Sequence, residues 1–342
     1  MKCFMAGNCG GNVKQNDPNI TTGVNRMRSF IVLRTQGKNR QERERYMKPA
    51  KELFVDSGAY SAWNQGVEIN IQEYIAFIKE HEDMIDVYAN LDVIGDAEAT
   101  WKNQLIMEKA GLSPLPTYHY GESIVFLRRY LDRGHDYIAL GGTVGVSKQM
   151  VVSWYDRIWK EDICDKDGMP KVKVHGFGLT TIPLMLRYPW YSVDSTTWVV
   201  VSRMGGILVP KLNESGDWDF CKVPMVVPVS NKPSKKSPPK RHIGTLSTEV
   251  RKIVDRYVSE MEFTLGKSDF RSVQDGYELK EGERWTGKKA ELVVETVLES
   301  GLANRYQDRD ILNVLYFENM QDQWRKWPWP FRPKIQTQRF PV

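Results

Sequence analysis

Three aspartates stand where short apolar runs give way to small residues: Asp56 in VDSGAY, Asp92 in NLDVIGD and Asp194 in SVDSTTW. A carboxylate can attack a sugar anomeric carbon and hold it as a covalent ester, while a second carboxyl moves protons to and from the leaving group. Asp56 and Asp194 form the candidate pair, since each ends a β-rich run and each is followed by serine, Ser57 and Ser195. Asp92 has the capacity to accept two hydrogen bonds from a base edge, such as guanine N1–H and its 2-amino group. The plain alternative for each aspartate is a cap on the helix or turn that follows it.

Other residues share this kind of position. His119 (TYHYG), Gly141-Gly142 (ALGGT) and His175 (VHGFG) each follow an apolar run. A glycine pair lets backbone approach a flat ligand closely, and a tight turn explains it equally well. Tyr60 and Phe177 lie just beyond two run ends, placed either to stack on a nucleobase or to pack the mouth of a barrel. No HxH or HExxH spacing is present, so the histidines read as hydrogen-bonded structural groups rather than metal ligands.

The elements that must position these groups are short. Lys2–Ala6, Ser29–Leu33, Leu53–Val55, Val87–Leu91, Leu115–Tyr118, Tyr137–Leu140, Val172–His175 and Tyr191–Val193 read as eight strands. Helical stretches alternate with them over 39–51, 71–82, 97–110, 122–133 and 147–160, with Ile71, Tyr74, Ile75 and Ile78 on one face and Asp96 and Ser147 as N-caps. The alternation predicts a (β/α)8 TIM-like barrel over residues 1–200, with chemistry at the C-terminal ends of its strands. A doubly wound open sheet is the alternative, weakened by the absence of GxGxxG in the first βα turn. Residues 201–245 read as short strands followed by a Pro/Ser/Lys-rich basic linker. Residues 246–342 form a mixed, mainly helical region, with helices expected over 246–264, 289–300 and 307–326 and a basic, aromatic tail.

Across 342 residues, 48 Lys and Arg face 43 Asp and Glu, a net charge of only +5, so placement matters more than total. Lys232, Lys235, Lys236, Lys240 and Arg241 lie close together in the linker, and Arg325 and Lys326 alternate with tryptophans in the tail. Such cations can neutralise phosphates while aromatics stack on exposed bases; a solvated linker and aromatic docking onto the domain itself are the alternatives. A hydrophobic content of 41% excludes disorder throughout. No apolar run is long enough for a membrane span. Four scattered cysteines and an opening without a signal-peptide plan point to the cytoplasm.

VDSGAYSAW resembles the DSGG-aromatic signature of tRNA-guanine transglycosylases, and LDVIGD, ALGGTVGV, VHGFGLTT and YSVDSTTW follow in that family's order over roughly residues 50–200. The resemblance implies that Asp194 is the nucleophile on the ribosyl C1′, Asp56 the proton-transferring carboxyl and Asp92 the reader of the base. Gly141 and Gly142 would supply backbone contacts, Tyr60 and Phe177 the two stacking faces, and Ser57, His119 and Gly178 further substrate contacts. The chain departs from the pattern at Ala59, Ser61, PTYHYGE and the position after DSTTW, where an arginine is missing. The family's CxCxxC…H zinc site is absent, with only Cys221 and His242 in that region. A compact relative without zinc is most similar to the phage-type 7-deazaguanine DNA transglycosylases. The expected activity is therefore that of a pentosyltransferase exchanging guanine in DNA for a 7-deazaguanine such as preQ0, without metal or other cofactor, in the host cytoplasm if phage-encoded. Exchange in tRNA, a barrel glycoside hydrolase and a non-catalytic nucleic-acid-binding protein remain open alternatives.

Overall fold

The computed structural model describes residues 1–7, 23–36, 39–47, 50–179, 181–231, 242–286 and 291–333. They divide into two compact units. The first holds the described residues up to Thr196 together with those from Trp324 onward, and the second holds those of 197–323.

The first unit is an α/β fold built on eight parallel strands: β1 Lys2–Met5, β2 Arg26–Ser29, β3 Leu53–Asp56, β4 Val87–Tyr88, β5 Thr117–His119, β6 Tyr137–Gly141, β7 Lys173–Gly176 and β8 Ser192–Ser195. They pair in the order β4-β3-β2-β1-β8-β7-β6-β5. The sheet is curled: a parallel bridge from Ala89 to Leu115 links the outer strands, with Leu115 N–H donating to Tyr88 O and Asn90 N–H to Leu115 O. Helices α1 Phe30–Leu33, α2 Arg40–Met47, α3 Ala59–Gln65, α4 Ile71–Glu80, α5 Ala97–Lys109, α6 Ile124–Asp132, α7 Lys148–Ile158 and α8 Ile182–Arg187 flank it.

Side chains alternate faces along each strand, so one parity faces the helices and the other the concave side of the sheet. On β3, Leu53 and Val55 join Tyr74, Phe77 and Ile78 of α4 in one apolar cluster, whereas Phe54 joins Phe4, Met27, Ala89, Leu115 and Ala139 in another. Asp56 shares the parity of Phe54. In register, Asp194 lies opposite Phe4. The buried aromatic and aliphatic residues each contribute roughly 1.5–3 kcal/mol by leaving water, which fixes the strand phase and so aims both carboxylates inward.

The expected caps form: Asp96 accepts the Ala99 N–H and Ser147 that of Met150. The apolar run Ser29–Leu33 is not a strand. The strand ends at Ser29 and FIVL makes one helical turn, burying Phe30 and Leu33 in the helix-side cluster.

The second unit holds α9 Thr197–Arg203, α10 Thr248–Glu260 and α11 Tyr306–Gln323 with seven short strands. β9 Gly206–Val209 pairs with β12 Met225–Pro228, and β10 Lys211–Leu212 with β11 Trp218–Asp219. β13 Lys267–Ser272, β14 Glu283–Trp285 and β15 Val293–Glu299 form an antiparallel sheet with β15 in the middle. The helix expected over 289–300 is therefore strand β15, whose β-branched residues pair on both sides. No helix of the described residues is long and apolar enough to cross a membrane.

The tail groups with the first unit rather than with 246–323. Trp327 Nε1 donates to Pro189 O at 3.0 Å, Phe331 packs on Tyr188 and Trp159, and the Phe331 N–H donates to Gly168 O.

Candidate active site

The eight strands run the same way, so their C-terminal ends open on one side. Asp56 ends β3, His119 ends β5, Gly141 ends β6, and Phe177 and Gly178 follow β7. Asp194 sits near the end of β8, and Asp92 lies four residues past β4.

Asp56 is held by the Gly58 N–H at 3.1 Å, a local turn that also begins α3, so the capping alternative is realised alongside the clustering. Burial pushes its carboxyl up to about 7. The negative charges of Asp92 and Asp194 push the same way, against the pull of the Gly58 and Ser57 amides. These mutual effects put the three carboxylates in one electrostatic neighbourhood. A carboxyl poised near neutrality can both give and take a proton.

Asp92 caps no helix. Ser57 Oγ, wholly buried, donates to its Oδ1 at 3.0 Å, and His119 Nε2 lies 3.1 Å from its Oδ2. The other imidazole nitrogen of His119 lies 3.1 Å from Glu122 Oε1, while Glu122 Oε2 accepts the His119 N–H at 2.9 Å. Glu122 does not stand out in the sequence; its signal is the three-residue spacing in HYGE.

Asp194 is buried. Its Oδ1 accepts the Gly178 N–H at 2.7 Å and lies 3.3 Å from His175 Nε2. Among the described residues its Oδ2 carries no hydrogen bond. His175 Nδ1 lies 2.6 Å from Ser192 Oγ, which is 2.5 Å from the Tyr137 hydroxyl. Burial pushes the His175 imidazole below its ordinary value, against the attraction of Asp194, so it is neutral near pH 7. Phe4, Phe54 and Phe177 surround its ring. Ser192 and Tyr137 leave no mark in the sequence, because each looks like an ordinary strand residue.

The glycine pair has a packing cause. A Cβ on Gly141 would stand 3.2 Å from His119 Cδ2. One on Gly142 would stand 2.9 Å from His119 Cβ and 3.0 Å from the Tyr120 nitrogen, at a backbone φ of +74°. The Gly141 carbonyl already accepts the Tyr120 N–H. Both glycines therefore make room for His119. Phe177 uses its ring against Phe54 and His175, while Tyr60 stays half exposed beside Trp63.

Of the expected nucleic-acid contacts, Arg325 and Lys326 are described and are not brought to this site. Lys232, Lys235, Lys236, Lys240 and Arg241 lie outside the described residues. Arg325 and Lys326 are exposed, and the Arg325 guanidinium lies over the Trp329 ring. The neighbouring Trp327 docks beside Pro189 and Tyr191, which precede β8, so this stretch sits at the opposite end of the strands from Asp194. Trp324, Trp329 and Phe331 are buried and do not offer faces to bases.

In chemical terms the site holds a buried carboxylate with one oxygen that carries no hydrogen bond among the described residues, a carboxyl poised near pH 7 and a third carboxylate met from both sides. Compared with known proteins, the chain matches no family model and no curated protein.

Proposed function

We propose that this protein is a guanine/7-deazaguanine transglycosylase acting on DNA, built on a (β/α)8 TIM-like barrel. The observation that carries the reading is the convergence of Asp56, Asp92 and Asp194 at one end of a parallel sheet, with Asp56 raised to about 7. The bridge between Ala89 and Leu115 supports the barrel.

In the proposed reaction a target guanine nucleotide leaves the base stack and enters the mouth, because its C1′ is otherwise shielded. Asp194 Oδ2 attacks C1′. The C1′–N9 bond breaks, its electron pair goes to guanine, and protonated Asp56 supplies the proton. A glycosyl ester of Asp194 and free guanine result. The incoming 7-deazaguanine then binds to Asp92, loses its N9 proton to the Asp56 carboxylate and attacks C1′, and the ester C–O bond breaks to restore Asp194. Two displacements retain the anomeric configuration. One carboxyl serves both proton transfers, which favours a value close to the working pH. The Gly178 N–H holds Asp194 Oδ1 and the His175 ring lies against the same oxygen, which leaves Oδ2 for attack.

The test is incorporation of labelled preQ0 in parallel into duplex DNA, single-stranded DNA and tRNA. Incorporation into DNA is expected, with Asp194→Ala abolishing it and Asp56→Ala reducing it by about 10²–10⁴-fold. Incorporation into tRNA alone would move the substrate to the other polymer. Release of free base without incorporation would assign a hydrolase. Normal incorporation by both variants would overturn the reading.

A further inference from the structure

Glu122 and His119 take no part in the bond-making steps, yet they are joined to Asp92 in one line. Both imidazole nitrogens face a carboxylate oxygen at 3.1 Å, Nε2 toward Asp92 and Nδ1 toward Glu122. All three side chains are largely buried. Gly141 lies against the ring, where a Cβ would stand 3.2 Å from Cδ2, and Gly142 lies against the root of the side chain, 2.9 Å from Cβ on the same measure. Ser57 Oγ donates to the other Asp92 oxygen, so each oxygen already has one protein donor.

We propose that the Glu122–His119 pair is a positioning device that fixes Asp92 as an acceptor on both oxygens, and so makes the pocket select a base edge with two adjacent N–H donors. The proposal rests on the transglycosylase reading and goes beyond it by assigning the selectivity to residues that never touch the reacting atoms.

An imidazole that faces carboxylates with both nitrogens fits them only when both are N–H donors. Burial by itself would lower the His119 pKa, and hydrogen bonds to Asp92 and Glu122 carry it instead to about 10. The groups around this assembly are Asp92 and Glu122 themselves, Asp56 beside Asp92, Tyr74 of α4, which feels Asp92, Tyr118 of β5, which feels Glu122, and Tyr130 of α6, which feels both acids. From β6 it meets Gly141, which is not titratable.

With Ser57 Oγ–H and the His119 ring behind it, Asp92 turns acceptors toward the base. Its remaining lone pairs then accept two N–H groups, the pattern of guanine N1–H with the 2-amino group and of any 7-deazaguanine that keeps that edge. Hypoxanthine lacks the 2-amino group and leaves one acceptor unmatched. Glu122 supplies the charge that holds the imidazole in its doubly protonated form.

Glu122→Gln removes that charge while the amide oxygen still accepts the His119 N–H, which preserves the turn. Long-range proton–nitrogen spectra of the histidine side chains, with His119→Asn for assignment, are expected to show both His119 nitrogens protonated at pH 8 in the native protein. In Glu122→Gln the midpoint of that titration is expected to fall by more than about one pH unit. By calorimetry, guanine is expected to bind about 10–100-fold more weakly to Glu122→Gln. In the exchange assay the KM for labelled guanine is expected to rise by a similar factor with kcat nearly constant, and preference over labelled hypoxanthine to fall. A singly protonated His119 at pH 8 in the native protein overturns the proposal. So does a Glu122→Gln protein with native guanine affinity and native discrimination. Absence of exchange on every polymer, with His119 doubly protonated and guanine binding weakened by Glu122→Gln, would defeat the transglycosylase reaction and leave the base clamp standing.

Discussion

His175 Nε2 lies 3.3 Å from Asp194 Oδ1, the oxygen that also accepts the Gly178 N–H. The imidazole is wholly buried, and its other nitrogen reaches Ser192 Oγ and, through it, the Tyr137 hydroxyl. A neutral ring has one N–H to donate. Packed against Asp194 Oδ1, the neutral ring sets the orientation of the carboxylate without neutralising it. In the proposed reaction His175 acts through Asp194 and does not itself touch the reacting atoms.

Replacing His175 by glutamine keeps a donor but loses the ring's packing against Phe4, Phe54 and Phe177. The expected result is a fall in the exchange kcat with little change in KM for the incoming base, and a loss of stability of about 2–4 kcal/mol from the cavity. Steady-state kinetics and urea denaturation measure the two effects separately. His175 also gives a pH signature. Its folded-state pKa is lowered, so the unfolded chain binds a proton that the folded one refuses. Native stability should decline as pH drops through about 6.5, and that decline should be smaller in His175→Gln.

Asp56 behaves in the opposite sense. Its folded-state pKa is raised to about 7, so between the ordinary carboxylate value of about 3.9 and 7 the folded state binds more protons than the unfolded. Its contribution therefore worsens as pH rises through this window and stays unfavourable above it. Asp56→Asn should lower exchange by about 10²–10⁴-fold yet melt at a higher temperature than the native protein at pH 8, with little difference at pH 4. Thermal melts of both proteins at the two pH values check this. Equal or lower melting of the variant at pH 8 would show that Asp56 is not held against its charge.

Gly142→Ala places a methyl group 2.9 Å from His119 Cβ and 3.0 Å from the Tyr120 nitrogen at a positive φ. The expected cost is about 1–3 kcal/mol of stability. Because backbone must yield, His119 should move as well, and the KM for the incoming base should rise together with the instability. Denaturation and exchange kinetics on one preparation test the link.

The tail should matter for stability and not for the polymer. Phe331→Ala removes a buried ring from Tyr188 and Trp159 and should cost about 3–5 kcal/mol. Arg325→Ala with Lys326→Ala should leave the salt dependence of DNA binding unchanged, because their segment docks at the far end of the strands. Neutralising Lys232, Lys235, Lys236, Lys240 and Arg241 should flatten that dependence by about one unit of slope for each phosphate left without its cation. Binding titrations over a range of salt concentrations distinguish the two sets.

Much of the first unit was legible from local pattern. Short apolar runs alternating with amphipathic stretches located the parallel strands, and Asp96 and Ser147 announced two helix starts through chemistry confined to a few residues. Asp56, His119 and Asp194 could be placed at strand ends for the same reason. Where a run fits two periodicities, local pattern is silent. LVVETVLES (292–300) became β15 because β13 and β14 lie on either side of it, and FIVL became a helical turn because Phe30 and Leu33 are buried in the cluster behind the sheet. The sequence by itself thus determined which groups are available for chemistry and that parallel strands would present them together. Only the tertiary structure decided their partners. His119 meets Asp92 across 27 positions and His175 meets Asp194 across 19, and Gly141 and Gly142 are small on account of a histidine on the neighbouring strand. The physical reason is that hydrogen bonds and excluded volume act over a few ångströms, and strand register, set by burial on both faces, determines which distant residues come within that range.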